Sequence, residues 1–252
     1  MISLPLCISA AVVLITFIFA AWQDWKTRTV YKVTWYPAAV IGGICAILFW
    51  AEFIDVRGAH LMLFISVIFA GLCALFSILG MFGKADAKAL ILLSLTVPVT
   101  PFAAYVFPSL AVSALVNAGV LTLFVPAIFL SYNIFRKNRA PFHLMCSGRP
   151  ISGRCAKDKF GFIAEDISEE NGEVQKRFVS VCDMIFSLRK NPERNTRNLR
   201  EEPKKYAEMI SLLEKCDTVW VTFGIPLLVP LTAGLILALF GISAVDILLS
   251  LI

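Results

Sequence analysis

Gly83-Lys84-Ala85-Asp86-Ala87-Lys88 is a charged knot between two long apolar runs, Leu61 to Phe82 and Ala89 to Phe107. A carboxylate where a chain passes into a bilayer loses water, so an aspartate there marks a functional site by default. A second lone aspartate, in Ala21-Trp22-Gln23-Asp24-Trp25-Lys26-Thr27-Arg28, closes another apolar run far upstream. Whether Asp24 and Asp86 form one site decides both the topology and the chemistry.

Outward from the knot, the 252 residues are 58% hydrophobic, against roughly 45–50% in soluble domains. The chain is therefore an integral membrane protein. Apolar runs of spanning length fall at Ile2 to Gln23, Val33 to Trp50, Leu61 to Phe82, Ala89 to Phe107, Ser109 to Phe135 and Val219 to Val245. The first has no basic leader and no small-x-small cleavage site before Asp24, so it reads as a retained span. Pro98 and Pro101 predict a break in the fourth run, and Pro226 and Pro230 a kink in the sixth. The apolar tail from Ile247 is too short to span. The expected fold class is an all-α integral membrane protein of six transmembrane helices with a small cytoplasmic α+β domain inserted between the fifth and sixth. Its divisions are 1–135, 136–217 and 218–252.

Of the 23 Lys and Arg, 17 lie between Arg136 and Lys215, with most of the acids, so one polar segment is embedded in an apolar chain. Placing the connection after the first span in the cytoplasm puts Lys26, Arg28, Lys32, Lys84, Lys88 and the polar segment inside and leaves only Arg57 outside. This follows the positive-inside rule. Both termini then face the exterior, and Asp24 and Asp86 share the cytoplasmic face. Within the polar segment, Phe142 to Cys146, Lys159 to Asp166 and Glu173 to Ser180 read as strands, with Gly148, Gly153 and Gly172 as turn formers. Pro203 opens a helix whose stripe is Tyr206, Met209, Ile210, Leu213 and Cys216.

Several chemistries have little to work with. The seven cysteines make no C-x-x-C pair, and His60 and His143 are expected on opposite faces, so neither a metal site nor a Ser-His-Asp triad is assembled. Gly80 and Gly83 precede a single Lys without phosphate-loop spacing. No cofactor and no nucleic-acid partner is expected; the interleaved charges of the polar segment read as a solvated face, with membrane lipid headgroups as the alternative contact. Two lone carboxylates at one membrane face are another matter. An aspartic protease needs two that share one proton, one acting as base on water and the other as acid toward the scissile carbonyl.

The flanks of both aspartates carry a resemblance. Gly83-Lys84-Ala85-Asp86 resembles the glycine-aspartate motif of the GxGD membrane aspartic proteases, with Ala85 where the motif has its second glycine. Asp24-Trp25-Lys26-Thr27-Arg28 is similar to the segment that prepilin peptidases carry after their first span. In order and spacing the chain most resembles the archaeal preflagellin peptidases, which also place a basic polar domain before a last span. The resemblance implies catalysis by Asp24 and Asp86, supported by Gly83, Lys84, Ala85, Lys88, Lys26 and Arg28. It implies removal of a short basic leader from a preflagellin or prepilin-like precursor at the cytoplasmic membrane face. Without C-x-x-C pairs it implies no N-methylation. Acids of the polar domain, among Glu165, Asp166, Glu169 and Glu170, are candidates to meet the basic leader, and backbone opened at Pro226 and Pro230 to pair with extended substrate. The alternatives are an intramembrane protease of the presenilin or signal-peptide-peptidase type, whose aspartates lie deeper in their spans, and a small ion or proton transporter, which would more often show an internal repeat.

Overall fold

The computed structural model describes residues 3–56, 58–102, 109–170, 173–180 and 191–250. The expectations at Arg57, at 103–107, at Gly172 and at the last two residues of the tail lie outside them. The chain forms two compact units, Met1–Thr122 with Pro226–Ile252, and Leu123–Ile225.

The first unit is built on α1 (Leu4–Thr27), which opens with a proline in its first turn, where no backbone donor is wasted. Leu6, Ala10, Val13, Phe17 and Ala20 recur at helical spacing and are buried. Three partners cover that face. A short 3-10 turn (Lys32–Trp35), a π-helical turn (Ala38–Gly42) and α2 (Gly43–Phe53) form one apolar run. The π turn brings Gly42 against α1, where Ser9 Oγ donates to the Thr96 carbonyl at 2.7 Å. The second partner is α4 (Lys84–Thr96), which contributes Leu90 and Leu93 and packs along α3 (Ala59–Ile78). The third is α9 (Leu228–Leu239), which contributes Leu228, Leu231 and Leu235.

Among the described residues, four helical runs are long and apolar enough to cross a membrane: Leu4–Thr27, Lys32–Phe53, Ala59–Ile78 and Leu110–Phe135, the last being α5. The fourth expected span differs. Its helix begins at Lys84, so the charged knot is the first turn of α4 rather than a link before it. The helix ends after 13 residues, at Thr96, because Pro98 excludes the α conformation from the residue ahead of it. The turn before the knot is closed by Gly80 at φ 74°. There Gly80 N donates to Ser77 O and Met81 N to Phe76 O, the paired closure that a left-handed glycine allows.

The sixth expected span is corrected more deeply. Val219–Thr222 is not helix but strand β5, Leu228–Leu239 is a helix of 12 residues, and α10 follows at Ala244–Ser250. The unit boundary falls between Ile225 and Pro226, where Gly224 and Pro226 interrupt the apolar run.

In the second unit, β5 is the central strand of an antiparallel sheet, between β1 (Gly148–Ile151) and β2 (Phe162–Ile163). Its register runs from Gly148 opposite Thr222 to Ile151 opposite Val219. β3 (Glu165–Glu170) and β4 (Glu173–Phe178) pair antiparallel as a separate two-stranded sheet; β4 falls within the strand expected over Glu173 to Ser180, whereas the single strand expected over Lys159 to Asp166 is divided between β2 and the start of β3. Phe142–Ser147 is helix α6, not a strand: Pro141 sits ahead of its first turn and its carbonyl accepts from Leu144 N and Met145 N. Gly153 is not a turn former. A Cβ there would strike the carbonyls of Leu213 and Cys216, so the glycine lets α8 (Ala207–Lys215) close on the 3-10 turn Gly153–Asp158. α8, preceded by α7 (Thr196–Glu201), packs Met209, Ile210 and Leu213, with Tyr206 and Cys216 at its two caps, against Val219 and Val221 of β5; the expected stripe packs, but the helix opens at Ala207 after a turn over 203–206 rather than at Pro203.

Candidate active site

Asp24 stands in the last turn of α1, where its carbonyl accepts the Arg28 N–H at 3.0 Å and Arg28 closes the helix in the left-handed conformation. Asp86 is the third residue of α4, with Gly83 as the N-cap. The two side chains are half-buried, and their carboxylates are close enough for each charge to act on the other. Asp24 also faces Arg28 and the backbone N–H of Leu228, the first residue of α9.

Each carboxylate thus lies at the N-terminal end of a helix, Asp86 on its own helix α4 and Asp24 opposite α9. Those ends carry unpaired N–H groups and the positive pole of the helix dipole, which favour negative charge. The motif glycine has a steric reason. A Cβ on Gly83 would lie 2.5 Å from Asp86 Oδ2, because the carboxylate folds back over the N-cap as third-position acids do. Ala85 needs no such room. It is partly buried against the apolar core of the first unit, and Ala87 beside it is buried.

The lysines around the aspartates point elsewhere. Lys26 Nζ lies 4.5 Å from the centre of the Trp22 ring, so its charge rests on an aromatic face that is itself half exposed. Lys84 and Lys88 are exposed. Pro226 and Pro230 do not kink a long helix. Pro226 precedes α9 and its carbonyl accepts from Val229 N at 3.1 Å, while Pro230 lies in the first turn, where a missing N–H breaks no helical bond. Between them they leave the Leu228 N–H free to meet Asp24. Leu228 carries no polar side chain, and the only sign of it in the sequence is its place between two prolines.

Two family models match the chain: the type IV leader peptidase family over residues 11–132 and the archaeal peptidase A24 C-terminus type II over residues 140–241. The chain belongs to the type IV leader peptidase family. No curated protein matches it.

The first match contains both aspartates and the second contains the β5 sheet and all of α9, so the leader peptidase is matched over both of its compact units. In this peptidase the acids proposed to meet a basic leader are largely engaged. Glu165 is buried and its Oε2 accepts the Trp220 N–H at 3.1 Å. Burial pushes its carboxyl up from the ordinary value, opposed by the Trp220 hydrogen bond and by Lys176. Asp166 pairs with Arg194, and Glu169 pairs with Lys215 at 2.6 Å. Each of these three acids already has a partner within the second unit. Among the described residues no three His, Cys, Asp or Glu side chains gather as a metal site.

Proposed function

We propose that this leader peptidase is an aspartic endopeptidase in which Asp24 and Asp86 form the catalytic dyad. The observation that carries the reading is the convergence of the two carboxylates, 62 positions apart in sequence, at the ends of separate apolar helices. In this reading the two carboxylates share one proton, as the two acids of an aspartic protease do. Asp24, flanked by the Arg28 guanidinium and the Leu228 N–H, is the ionised base, and Asp86 holds the shared proton.

Asp24 takes a proton from water as its oxygen attacks the scissile carbonyl, and Asp86 gives its proton to the carbonyl oxygen. The gem-diol intermediate collapses as Asp24 passes its proton to the leaving amine, the peptide C–N bond breaks, and Asp86 takes a proton back from one of the two hydroxyls as the new carboxylic acid forms. Both carboxylates end ready for another turnover.

The substrate is a preflagellin or related prepilin-like precursor, cut between its short basic leader and its apolar helix, without N-methylation. The positive-inside pattern supports a cytoplasmic dyad and polar segment with both termini outside. The test is cleavage of a purified preflagellin by wild type, Asp24→Asn and Asp86→Asn in lipid. Each variant is expected to lose at least ~10³-fold in kcat, and full activity in either one removes the dyad.

A further inference from the structure

Gln23, one residue before Asp24, is 7% exposed, and a buried amide is costly unless its hydrogen bonds are replaced. Its Oε1 accepts twice, from the Tyr31 backbone N–H at 3.2 Å and from Thr34 Oγ1 at 2.9 Å. Only the amide oxygen can accept from a backbone N–H, so the side chain has one orientation here. The residues between these anchors fold into a hook. Thr27 Oγ1 donates to the Gln23 carbonyl at 2.9 Å, and Thr29 Oγ1 donates to Thr27 Oγ1 at 3.0 Å.

At the tip of the hook Arg28 has φ 54°, a conformation that a residue with a Cβ keeps only when its surroundings hold it. Just past the second anchor, buried Trp35 stands edge-on to Phe17 of α1, with ring centroids 6.3 Å apart. The hook is therefore pinned to α1 by a polar clamp and an aromatic contact. Arg28, the residue it turns back, donates its backbone N–H to the Asp24 carbonyl at 3.0 Å, and its guanidinium is the cation whose charge acts on the Asp24 carboxylate.

We infer that Gln23 is a positioning residue for the dyad: its amide oxygen ties Tyr31 and Thr34 to α1 so that the hook holds Arg28 against Asp24. This rests on the reading of Asp24 as a catalytic carboxylate. Gln23 touches no reacting atom and works through Arg28, because a cation fixed beside one of two like carboxylates decides which of them carries the shared proton. Gln23→Leu leaves the Tyr31 N–H and the Thr34 hydroxyl unpaired, frees the hook and lets Arg28 leave the carboxylate. The substrate's apolar segment and leader do not bind through this amide, so KM is not its readout.

The test uses the full chain in lipid, with a purified preflagellin as substrate. Gln23→Leu is expected to lower kcat roughly 10-fold or more with KM within about 2-fold. Arg28→Gln is expected to show the same pattern, and adding Gln23→Leu to it to cost less than about 2-fold more, since both act on one contact. Thr34→Val, a milder lesion, falls between, and Thr34→Ser, which keeps the hydroxyl, stays within about 2-fold of wild type. Thermal midpoints are measured in parallel. The inference is overturned if Arg28→Gln is as active as wild type, if the two lesions multiply in the double variant, or if the losses track lowered midpoints and fully folded Thr34→Val keeps wild-type kcat. Asp24→Asn separates the two claims: if it is active, the dyad itself falls, and if it is dead while the lesions multiply, only the role of Gln23 does.

Discussion

At the scale of single residues, Gly83 connects the sequence motif to the chemistry most directly. Its φ is −59°, so it is not kept for a left-handed turn; it is kept because a Cβ would take the place of Asp86 Oδ2. Gly83→Ala is expected to displace that carboxylate and lower kcat by about 10- to 100-fold, while costing under about 1 kcal/mol as an N-cap change. Kinetics beside a thermal melt separate the two effects, and an active Gly83→Ala enzyme would contradict the steric account. Glu165 gives a prediction of the opposite kind, on stability alone. Its folded carboxyl is raised by burial above the ordinary 4.5, so the neutral form stabilises the second unit below about pH 4.5 and that contribution is lost as pH rises through the raised value. Glu165→Gln keeps an acceptor for the Trp220 N–H and is expected to flatten the fall. Unfolding followed by tryptophan fluorescence between about pH 4 and 8 reads this directly, and an unchanged slope in the variant argues against the assignment.

At the scale of elements, what could be read in the sequence depended on contrast. α5 was legible to within a residue, since Pro108-Ser109 marks the start of the run and Arg136-Lys137-Asn138-Arg139 its end, and the helix is Leu110–Phe135. β4 was legible, since it lies within Glu173 to Ser180, but β3 was not, because Glu165-Asp166-Ile167-Ser168-Glu169-Glu170 is polar apart from Ile167 and carries no alternation. β5 was not, because Val219-Trp220-Val221-Thr222 opens a continuous apolar run, and a short fully buried strand has no alternation to distinguish it from helix. Only Gly224 and Pro226 mark where the run changes structure. The packing of α9 was equally hidden, since it depends on a glycine meeting a backbone. A Cβ on Gly234 would strike the Ala114 carbonyl and the Ala118 N–H of α5. Asn117 beside them donates to the carbonyls of Gly234 and Ile242 and accepts the Ala244 N–H at 2.8 Å, fastening the turn between α9 and α10 that Gly241 closes at φ 71°. Gly234→Val is therefore expected to cost about 1–3 kcal/mol through overpacking. Asn117→Leu should cost a similar ~1–3 kcal/mol by orphaning buried backbone groups. Thermal unfolding in detergent checks both, and midpoints equal to wild type would mean that α9 does not rest on α5 in this way.

At the scale of the whole molecule, the distribution of charge predicts which side of the membrane the proposed dyad faces. Asp24 could be matched to Asp86 from sequence because both end apolar runs that alternation sends to one face. The partners that complete the site, Leu228 by its backbone and Gln23 by its clamp, carry no charge pattern and needed the fold to be seen. The positive-inside pattern makes a prediction independent of the dyad. Cys155 is an exposed free thiol of the second unit, within the basic segment whose transfer across the membrane the rule disfavours. A membrane-impermeant maleimide should label it in inverted vesicles and not in right-side-out ones, with Cys155→Ser defining the background signal. Asp246→Cys, at the exposed start of α10, should show the reverse pattern, because it follows the last membrane segment. Labelling of both positions from one side would mean that the chain crosses between them an even number of times. α9 would then dip into the membrane and return, and the termini would not both lie outside. Opposite labelling of the two thiols, with Cys155 on the inner side, fits a leader peptidase that meets its precursor where the basic leader is held back by the same electrostatic rule.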